Sequence, residues 1–505
     1  MMDKEKNYTK HAFTGFFIIF FMTVLGAIAS YIFRLVLARN LTVAEYGMFY
    51  SAYAIVYLIF VFRDLGVGSA IVKYIPDFIV KKQDQNVKLS IVSSVRITAI
   101  MGIVLSIITI VASQLIATDY LKIPAAAGFI KLMAIVFFFF SFEALIVNIL
   151  ISFQKHWLYS LFQFLRQALP VIIVLMLFNI NKSTDFVAYS LILTSVVVTI
   201  AFLLIFKKKI MPNFWTTKTS TDKSITHNIL TFGYSVIFTG IGGLILQFTD
   251  TILITAYLTT KDSGLYNAAV PISSILIYVS AALSMVVFPL TAELWAKNMK
   301  DKLVSGISFF YRYSLLLLLP FAFIVFAFAE LIISLLFTAQ YIPAANSLRV
   351  LIIGTLFYFM AQINFSIFSG IGKPDVVAKI TIGGAVLNII LNIILIPHFG
   401  ISGAALATGV GYFIMAIMST IMLRKYITIQ LPIIHWIKTI IFSLISLGIV
   451  YWLKSVLRME VFLEAGIIIV IIVIIYALLS YVTKQIDIPE IKGIIKSMKK
   501  SSVRD

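Results

Sequence analysis

Charged side chains inside long apolar stretches are the residues of this sequence that could do chemistry. The set comprises Arg34, Arg63, Asp64, Glu143, Arg166 and Asp250. A charge placed in the hydrocarbon of a membrane is costly, so a charged residue there indicates a functional site or a protein-facing cavity. Glu143 lies deep in the apolar stretch FFFFSFEALIVN and has no charged neighbour close in sequence. A carboxylate in such a place suits coupling to H+ or Na+.

Several of these side chains also allow a structural interpretation. Arg34 lies about one helical turn from the outer end of its stretch, where a long side chain can reach the membrane interface instead of a cavity. Arg63 and Asp64 are adjacent, so they could neutralise one another and only fix helix packing. Arg166 lies nearer the inner end of its stretch, and a cavity position is favoured over an interfacial one. The sequence leaves these alternatives open.

The composition shows which class of protein holds these charges. The chain has 505 residues, of which 61% are apolar and 12% are charged, and its mean hydropathy is +1.04. Soluble domains carry about 25% charged residues, so the sequence indicates an all-α integral membrane protein. It has no cysteine and five scattered histidines. That content excludes disulfides and thiol chemistry, and we expect no metal site and no cofactor.

We predict fourteen membrane-spanning helices, because a span needs about 20 mostly apolar residues. Their limits are 12–38, 46–71, 90–116, 125–151, 157–180, 185–206, 228–249, 264–290, 304–328, 345–370, 375–396, 401–423, 432–453 and 461–483. Lysine and arginine are concentrated in alternate connecting segments. The positive-inside rule therefore predicts a cytoplasmic membrane protein with both termini inside. The net charge of +19 then reflects topology and attraction to anionic lipid, not nucleic acid.

Two segments of the chain match one another when one is shifted by 217 positions. Leu41, Thr42, Glu45, Gly47, Phe49, Ala52 and Ile55 meet Leu258, Thr259, Asp262, Gly264, Tyr266, Ala269 and Ile272. Such a self-match predicts two related halves. Because six predicted spans precede the polar segment 207–227, both halves enter the membrane from the same side and form parallel repeats. We predict an N-terminal lobe (1–206), a cytoplasmic linker (207–227), a C-terminal lobe (228–423), two extra spans (424–485) and a basic amphipathic cytoplasmic tail (486–505).

Two blocks of sequence carry a family resemblance. The first reads ARNLTVAEYGMFYSAYAIV and then DLGVGSAIVKYI. The second, from Ser347 to Tyr412, contains GIGKPD, LNIILN and IPHFGISGAALAT. Both blocks resemble the polysaccharide flippase family, the polysaccharide-transport branch of the multidrug/oligosaccharidyl-lipid/polysaccharide exporter superfamily. The resemblance implies two six-helix lobes around a central cavity that opens alternately to each side.

The resemblance also implies a function. Members of the family move lipid-linked saccharides from the inner to the outer leaflet, so we predict a transporter, not an enzyme, for a polyprenyl-phosphate- or pyrophosphate-linked oligosaccharide. Its expected partners are that saccharide, membrane lipids, and the glycosyltransferases and polymerase or ligase of the same pathway. Two alternatives are an ion-coupled multidrug-type exporter of small molecules and a membrane-embedded glycosyltransferase or ligase. Short, nearly uncharged outer loops argue against the enzyme.

The charged residues then take predicted roles. Arginine can bind phosphate through two parallel hydrogen bonds. We therefore assign Arg34, Arg63, Asp64 and Arg166 to a substrate-phosphate path. The family often has an aspartate near the position of Asp250, and we assign Asp250 and Glu143 to coupling with H+ or Na+.

Overall fold

The computed structural model of the chain describes residues 2–429, 431–456, 460–483 and 485, with side chains except those of 2–20, 235, 237–241 and 461. Its α-helices are α1 (Met2–Asn40), α2 (Val43–Ile59), α3 (Val67–Val80), α4 (Asp84–Leu115), α5 (Ala127–Ser152), α6 (His156–Phe178), α7 (Thr184–Ile205), α8 (Lys223–Tyr257), α9 (Thr260–Ser273), α10 (Ile275–Ala296), α11 (Lys300–Ala327), α12 (Ala329–Leu336), α13 (Ala345–Gly370), α14 (Pro374–Leu423), α15 (Ile433–Val456) and α16 (Val461–Val482). The predicted amphipathic tail 486–505 lies outside the described residues.

The all-α membrane fold predicted from hydropathy is confirmed. Within the described part of the chain, twelve helical stretches are long and apolar enough to cross a membrane. One of them, α14, has 50 residues and covers two predicted spans, 375–396 and 401–423. A further predicted span, 228–249, lies within α8. The count of fourteen stays a prediction.

The predicted span 46–71 is not one helix. α2 ends at Ile59, a 3-10 turn covers Phe60–Phe62, and α3 starts at Val67. Between them Leu65 and Gly66 have φ values of 47° and 73°, a left-handed conformation that interrupts a right-handed helix. The Arg63–Asp64 pair therefore lies at a break between two helices and not inside a continuous span.

The chain forms two compact units. The first comprises Met1–Pro271, Ile333–Ala344 and Thr381–Thr408, and the second comprises Ile272–Ile332, Ala345–Ile380 and Gly409–Asp505. A buried apolar cluster in the first unit joins side chains of α3 to α7, among them Ile75, Leu150, Phe162 and Phe202. In the second unit, Phe328, Val450 and Ile468 bring the end of α11 against α15 and α16. The lobe limits drawn from the sequence stay a prediction.

The two matching segments of the sequence meet inside the first unit. Thr42 and Glu45 form a capping box at the start of α2. At the start of α9 the Thr259 hydroxyl accepts from the Asp262 N–H and donates to the Asp262 carboxylate, as the Thr42 hydroxyl does with Glu45. In the first turns of these helices lie Gly47 and Gly264, the equivalent glycines of the repeat.

Gly47 and Gly264 let the backbones of α2 and α9 touch. A Cβ added to Gly47 would lie 1.7 Å from the carbonyl oxygen of Thr260, and one added to Gly264 would lie 2.2 Å from that of Val43. One helical turn farther along α2, the buried Ser51 hydroxyl donates to the Ser263 hydroxyl at 2.9 Å. Close backbone approach through small residues, with hydrogen bonds across the contact, is how helices associate where lipid removes the hydrophobic driving force.

Gly47→Ala is expected to destabilise the first unit by at least about 1–3 kcal/mol, the typical penalty for overpacking a tight core. The new methyl group meets backbone, which cannot rotate away. Gly383→Ala is the matched control, since a Cβ on this helical glycine meets nothing within 4 Å. Thermal denaturation of the purified proteins measures the difference, and equal melting temperatures would contradict the close contact.

Candidate ion and anion sites

A buried carboxylate in the first unit is surrounded by neutral donors. Asp250, at 6% exposure, accepts hydrogen bonds from the hydroxyls of Tyr266 and Thr408 at 2.5 and 2.6 Å. The amides of Asn392 and Asn388 donate to its other oxygen at 2.8 and 3.3 Å. We call these five residues the Asp250 cluster. Among the described residues no cationic side chain pairs with Asp250, so the cluster holds a net negative charge when the aspartate is ionised.

The shape of α14 brings three of these donors to one carboxylate. Gly400 has φ 59° and ψ −141°, which breaks the helix into two arms. Gly403 then passes so close to Leu395 that a Cβ would lie 2.3 Å from its carbonyl oxygen. Asn388 and Asn392 come from the first arm and Thr408 from the second. The Asn388 amide also donates to Thr408 at 3.0 Å, which ties the two arms together.

The Asp250 cluster is rich in oxygen. Besides the carboxylate it contains two amide oxygens and two hydroxyls. The Oδ1 atom of Asn392 is buried and accepts no hydrogen bond from a described residue. Hard cations bind carboxylate and carbonyl oxygens, so these groups fit a monovalent cation as well as a proton. No group of three or more His, Asp or Glu side chains that could hold a metal occurs in the described part of the chain.

Two of the predicted arginines, Arg34 and Arg63, lie against one face of α2. Tyr50, Tyr53 and Tyr57 are spaced at helical intervals, and all three are partly exposed. The guanidinium carbon of Arg34 is 4.6 Å from the centre of the Tyr50 ring, and that of Arg63 is 5.6 Å from the Tyr57 ring. Both distances are within the range of cation–π attraction. We call this set, together with Arg166, the arginine–tyrosine stripe.

Tyr53 joins the third arginine to this stripe. Phe137 packs against Tyr53 with ring centres 5.0 Å apart and against Phe140 at 5.5 Å. The guanidinium carbon of Arg166 lies 5.8 Å from the centre of that Phe140 ring. Phe248 of α8 packs against Tyr57 with ring centres 4.7 Å apart and against Tyr53 at 6.2 Å. Because Phe248 is two residues before Asp250, α8 both contacts the stripe and carries the aspartate of the Asp250 cluster.

The structure gives Glu143 a partner that the sequence did not show. Its side chain is 1% exposed, and its Oε2 atom lies 3.2 Å from Nε of Arg166, which is 38% exposed. Arg166 is on α6 and Glu143 on α5, 23 positions apart, so no sequence pattern links them. The two charges were assigned to separate roles, ion coupling and phosphate binding, and the fold brings them together.

Arg63 and Asp64 point to different groups. Oδ1 of Asp64 accepts from the Gly66 N–H at 3.1 Å, which stabilises the turn between α2 and α3. Arg63 instead reaches the Tyr57 ring, and no ion pair between the two side chains occurs among the described residues. The self-neutralising pair allowed by the sequence is therefore absent from this structure.

Sequence reasoning missed most of the Asp250 cluster. Asn388 and Asn392 stand in LNIILN and Thr408 ends IPHFGISGAALAT, motifs that we used only as signs of a family. Asn388 and Asn392 could have been recognised on physical grounds, because two amides four residues apart in an apolar helix need polar partners.

Comparison with known proteins identifies the family. A family model described as "Polysaccharide biosynthesis protein" matches residues 12–295, and a second model, MatE, matches residues 235–394. The chain belongs to the polysaccharide biosynthesis protein family. An uncharacterised membrane protein of Methanocaldococcus jannaschii is 30% identical over 488 residues, covering 94% of this chain and 96% of that protein.

One further relative and one solved structure of similar fold have stated roles. The probable low-salt glycan biosynthesis flippase Agl15 of Haloferax volcanii is 29% identical over 197 residues, covering 39% of this chain and 42% of that protein. The solved structure of the lipid II flippase MurJ in an inward closed conformation aligns with a TM-score of 0.73. That alignment covers 93% of this chain and 98% of MurJ at 16% identity, which establishes a shared fold.

Tyr266→Phe is expected to destabilise the protein by about 1 kcal/mol. It removes one of the donors to the buried Asp250, and interhelical hydrogen bonds in membrane proteins contribute about 0.6 kcal/mol on average and up to about 1.7. Tyr257→Phe, which alters a 45% exposed tyrosine, is the control. Thermal denaturation of both variants is the measurement, and a wild-type melting temperature for Tyr266→Phe would show that this bond contributes nothing.

Proposed function

We propose that this protein is a flippase that moves a polyprenyl-phosphate- or pyrophosphate-linked oligosaccharide from the cytoplasmic to the outer leaflet by alternating access. The arginine–tyrosine stripe is the observation that carries the proposal. It holds three partly exposed arginines: Arg34 and Arg63 lie against tyrosines on one face of α2, and Arg166 reaches Tyr53 of the same face through Phe140 and Phe137. The flippase roles stated for Agl15 and MurJ support a transporter over a glycosyltransferase or ligase.

The chemistry of the substrate explains why arginines are needed. A phosphate that crosses a membrane loses its water, which costs several kcal/mol for an isolated anion. Guanidinium groups at Arg34, beside the middle of α2, and at Arg63, just past its C-terminal end, would replace that hydration at successive positions. Tyrosine rings between them keep each guanidinium ordered without neutralising it. The lipid tail stays in the bilayer, so the protein needs to solvate only the head group.

The Asp250 cluster is our proposed coupling site. A carboxylate with a neutral donor shell attracts a cation, and the amide oxygens of Asn388 and Asn392 can join it when their side chains rotate. Binding of Na+ or H+ there would favour one arrangement of α8, α9 and α14 over another, which is how an ion gradient shifts a conformational equilibrium. Glu143 was also predicted to couple an ion, and its pairing with Arg166 suggests a different role.

A multidrug-type exporter is the second candidate function. The MatE model matches residues 235–394, which include most of α8, all of α9 and most of the first arm of α14. Both candidate functions would use the ion site, but only the flippase would use the stripe. Three arginines would repel a cationic drug, whereas they would attract a phosphate. Efflux of cationic dyes without transport of a phosphate-linked lipid would favour this second function.

Replacing Arg34 and Arg63 together by glutamine should slow flipping at least about tenfold, equivalent to about 1.4 kcal/mol in the transport barrier. The double lysine variant should recover part of the rate, because the charge returns but the planar fork does not. The measurement is translocation of a fluorescent polyprenyl-pyrophosphate disaccharide in proteoliposomes. Arg96→Gln, at an exposed arginine on α4, should have no effect. Wild-type flipping by the double glutamine variant would remove these residues from the path.

Asp250→Asn should abolish the response of flipping to an imposed ion gradient while the protein folds and inserts normally, because asparagine keeps the shape of the site and lacks the charge. Proteoliposomes with a Na+ gradient or a pH gradient, applied separately, identify the ion. Asp375→Asn, at a side chain that is 59% exposed, is the control. Gradient-dependent flipping by Asp250→Asn would exclude this cluster as the coupling site.

A further inference from the structure

Arg166 is held through only one of its three nitrogens. Its Nε atom pairs with Oε2 of Glu143 at 3.2 Å. The two terminal nitrogens make no hydrogen bond with any described residue, although the guanidinium carbon lies 5.8 Å from the Phe140 ring. The side chain is 38% exposed. The two terminal nitrogens of Arg166, which form the fork of the guanidinium, are therefore accessible, while Nε is held by Glu143.

Glu143 is buried on the inner side of this pair. Its two oxygens accept no hydrogen bond from the described residues, although Ser195 of α7 faces the carboxylate. Arg166 is the cation that acts on it. A buried carboxylate that loses its cation is left uncompensated, which is strongly unfavourable. Glu143 therefore holds the guanidinium of Arg166 in place, because moving that guanidinium away would leave the buried carboxylate without its cation.

A purely structural ion pair between α5 and α6 has a different geometry. A pair that only holds two helices together repays the desolvation of its charges when the guanidinium binds the carboxylate through two parallel hydrogen bonds. Here the contact is single, one partner is exposed, and the part of the guanidinium that binds phosphate most strongly is unused. Arg166 also lies over the Phe140 ring, which packs through Phe137 against Tyr53 of the stripe.

We infer that Glu143 is a positioning residue for the substrate anion: it fixes Arg166 through Nε so that the terminal nitrogens receive the phosphate, and its charge weakens the grip of Arg166 on that phosphate. The inference rests on the proposed function and gives Glu143 a role in binding and release in place of ion coupling. The Arg166 guanidinium then contacts two anions: the buried Glu143 carboxylate, which is always present, and the phosphate of the substrate, which binds and leaves. The permanent anion speeds release, which a transporter needs as much as capture.

Variants at the two positions should change anion affinity in opposite directions. Glu143→Gln keeps the size of the side chain beside Arg166 but removes the competing charge, so the protein should bind a phosphate about fivefold more tightly, which is about 1 kcal/mol, and should flip it more slowly. Arg166→Gln, and the double variant Glu143→Gln with Arg166→Gln, should bind more weakly. A structural pair would lower the melting temperature in each single variant without this opposition in affinity.

Binding to the purified full-length chain in nanodiscs tests the inference, with farnesyl pyrophosphate as probe and farnesol as its uncharged control. Glu330→Gln is the matched control variant, since Glu330 pairs with Arg349 at 2.9 Å at an exposed position in the second unit. If wild type prefers the pyrophosphate and Glu143→Gln binds it no more tightly, the inference is wrong and the proposed function stands. If wild type shows no preference for the pyrophosphate over farnesol, the proposed function fails, and the inference with it.

Arg166→Lys keeps the test decisive if Glu143→Gln does not fold. A lysine ammonium can pair with Glu143 but has no fork left over for a second anion. We expect a nearly unchanged melting temperature and weaker binding of farnesyl pyrophosphate. Wild-type affinity in Arg166→Lys would overturn the inference.

Discussion

A carboxylate placed in hydrocarbon must obtain its solvation from the protein, and Asp250 shows how much structure this requires. Its oxygens are met by a hydroxyl from α9, two amides from one arm of α14 and a hydroxyl from the other arm. None of these donors is near Asp250 in sequence except Tyr266. The kink at Gly400 and the path of α9 are therefore linked to one buried charge, and losing any of these elements would leave it exposed to an apolar environment.

The two buried carboxylates of the first unit are compensated in different ways, and their electrostatic behaviour differs as a result. Glu143 is neutralised by a guanidinium, so the pair carries no net charge and has little attraction for a free cation. Asp250 is surrounded by dipoles, which stabilise a negative charge without cancelling it. A site of the second kind keeps a net field and can exchange a small cation, whereas a site of the first kind is suited to meeting a second anion through its shared arginine.

Hydropathy and charge gave the membrane class and many of the helices because both are local properties of the chain. The predicted span 345–370 coincides with α13, and α16 covers nearly all of the predicted span 461–483. The break after Phe62 was missed because the residues on both sides of Arg63 and Asp64 are apolar, although Asp64 followed by Gly66 is a local turn signal. The Glu143–Arg166 pair and the donors around Asp250 depend on which faces of different helices meet. That is decided by tertiary packing, which no single-sequence period encodes.

Gly47 and Gly264, which contact each other, are equivalent residues of the internal repeat. Two copies of one residue can touch each other only where the axis that relates the copies passes between them, as in an isologous dimer. α2 and α9 therefore mark that axis within the first unit. If one half of the chain were a separate protein that formed a homodimer, a substitution at this glycine would enter the contact twice. Within one chain each copy can change alone, so the duplication gives this contact an asymmetry that a homodimer could not have.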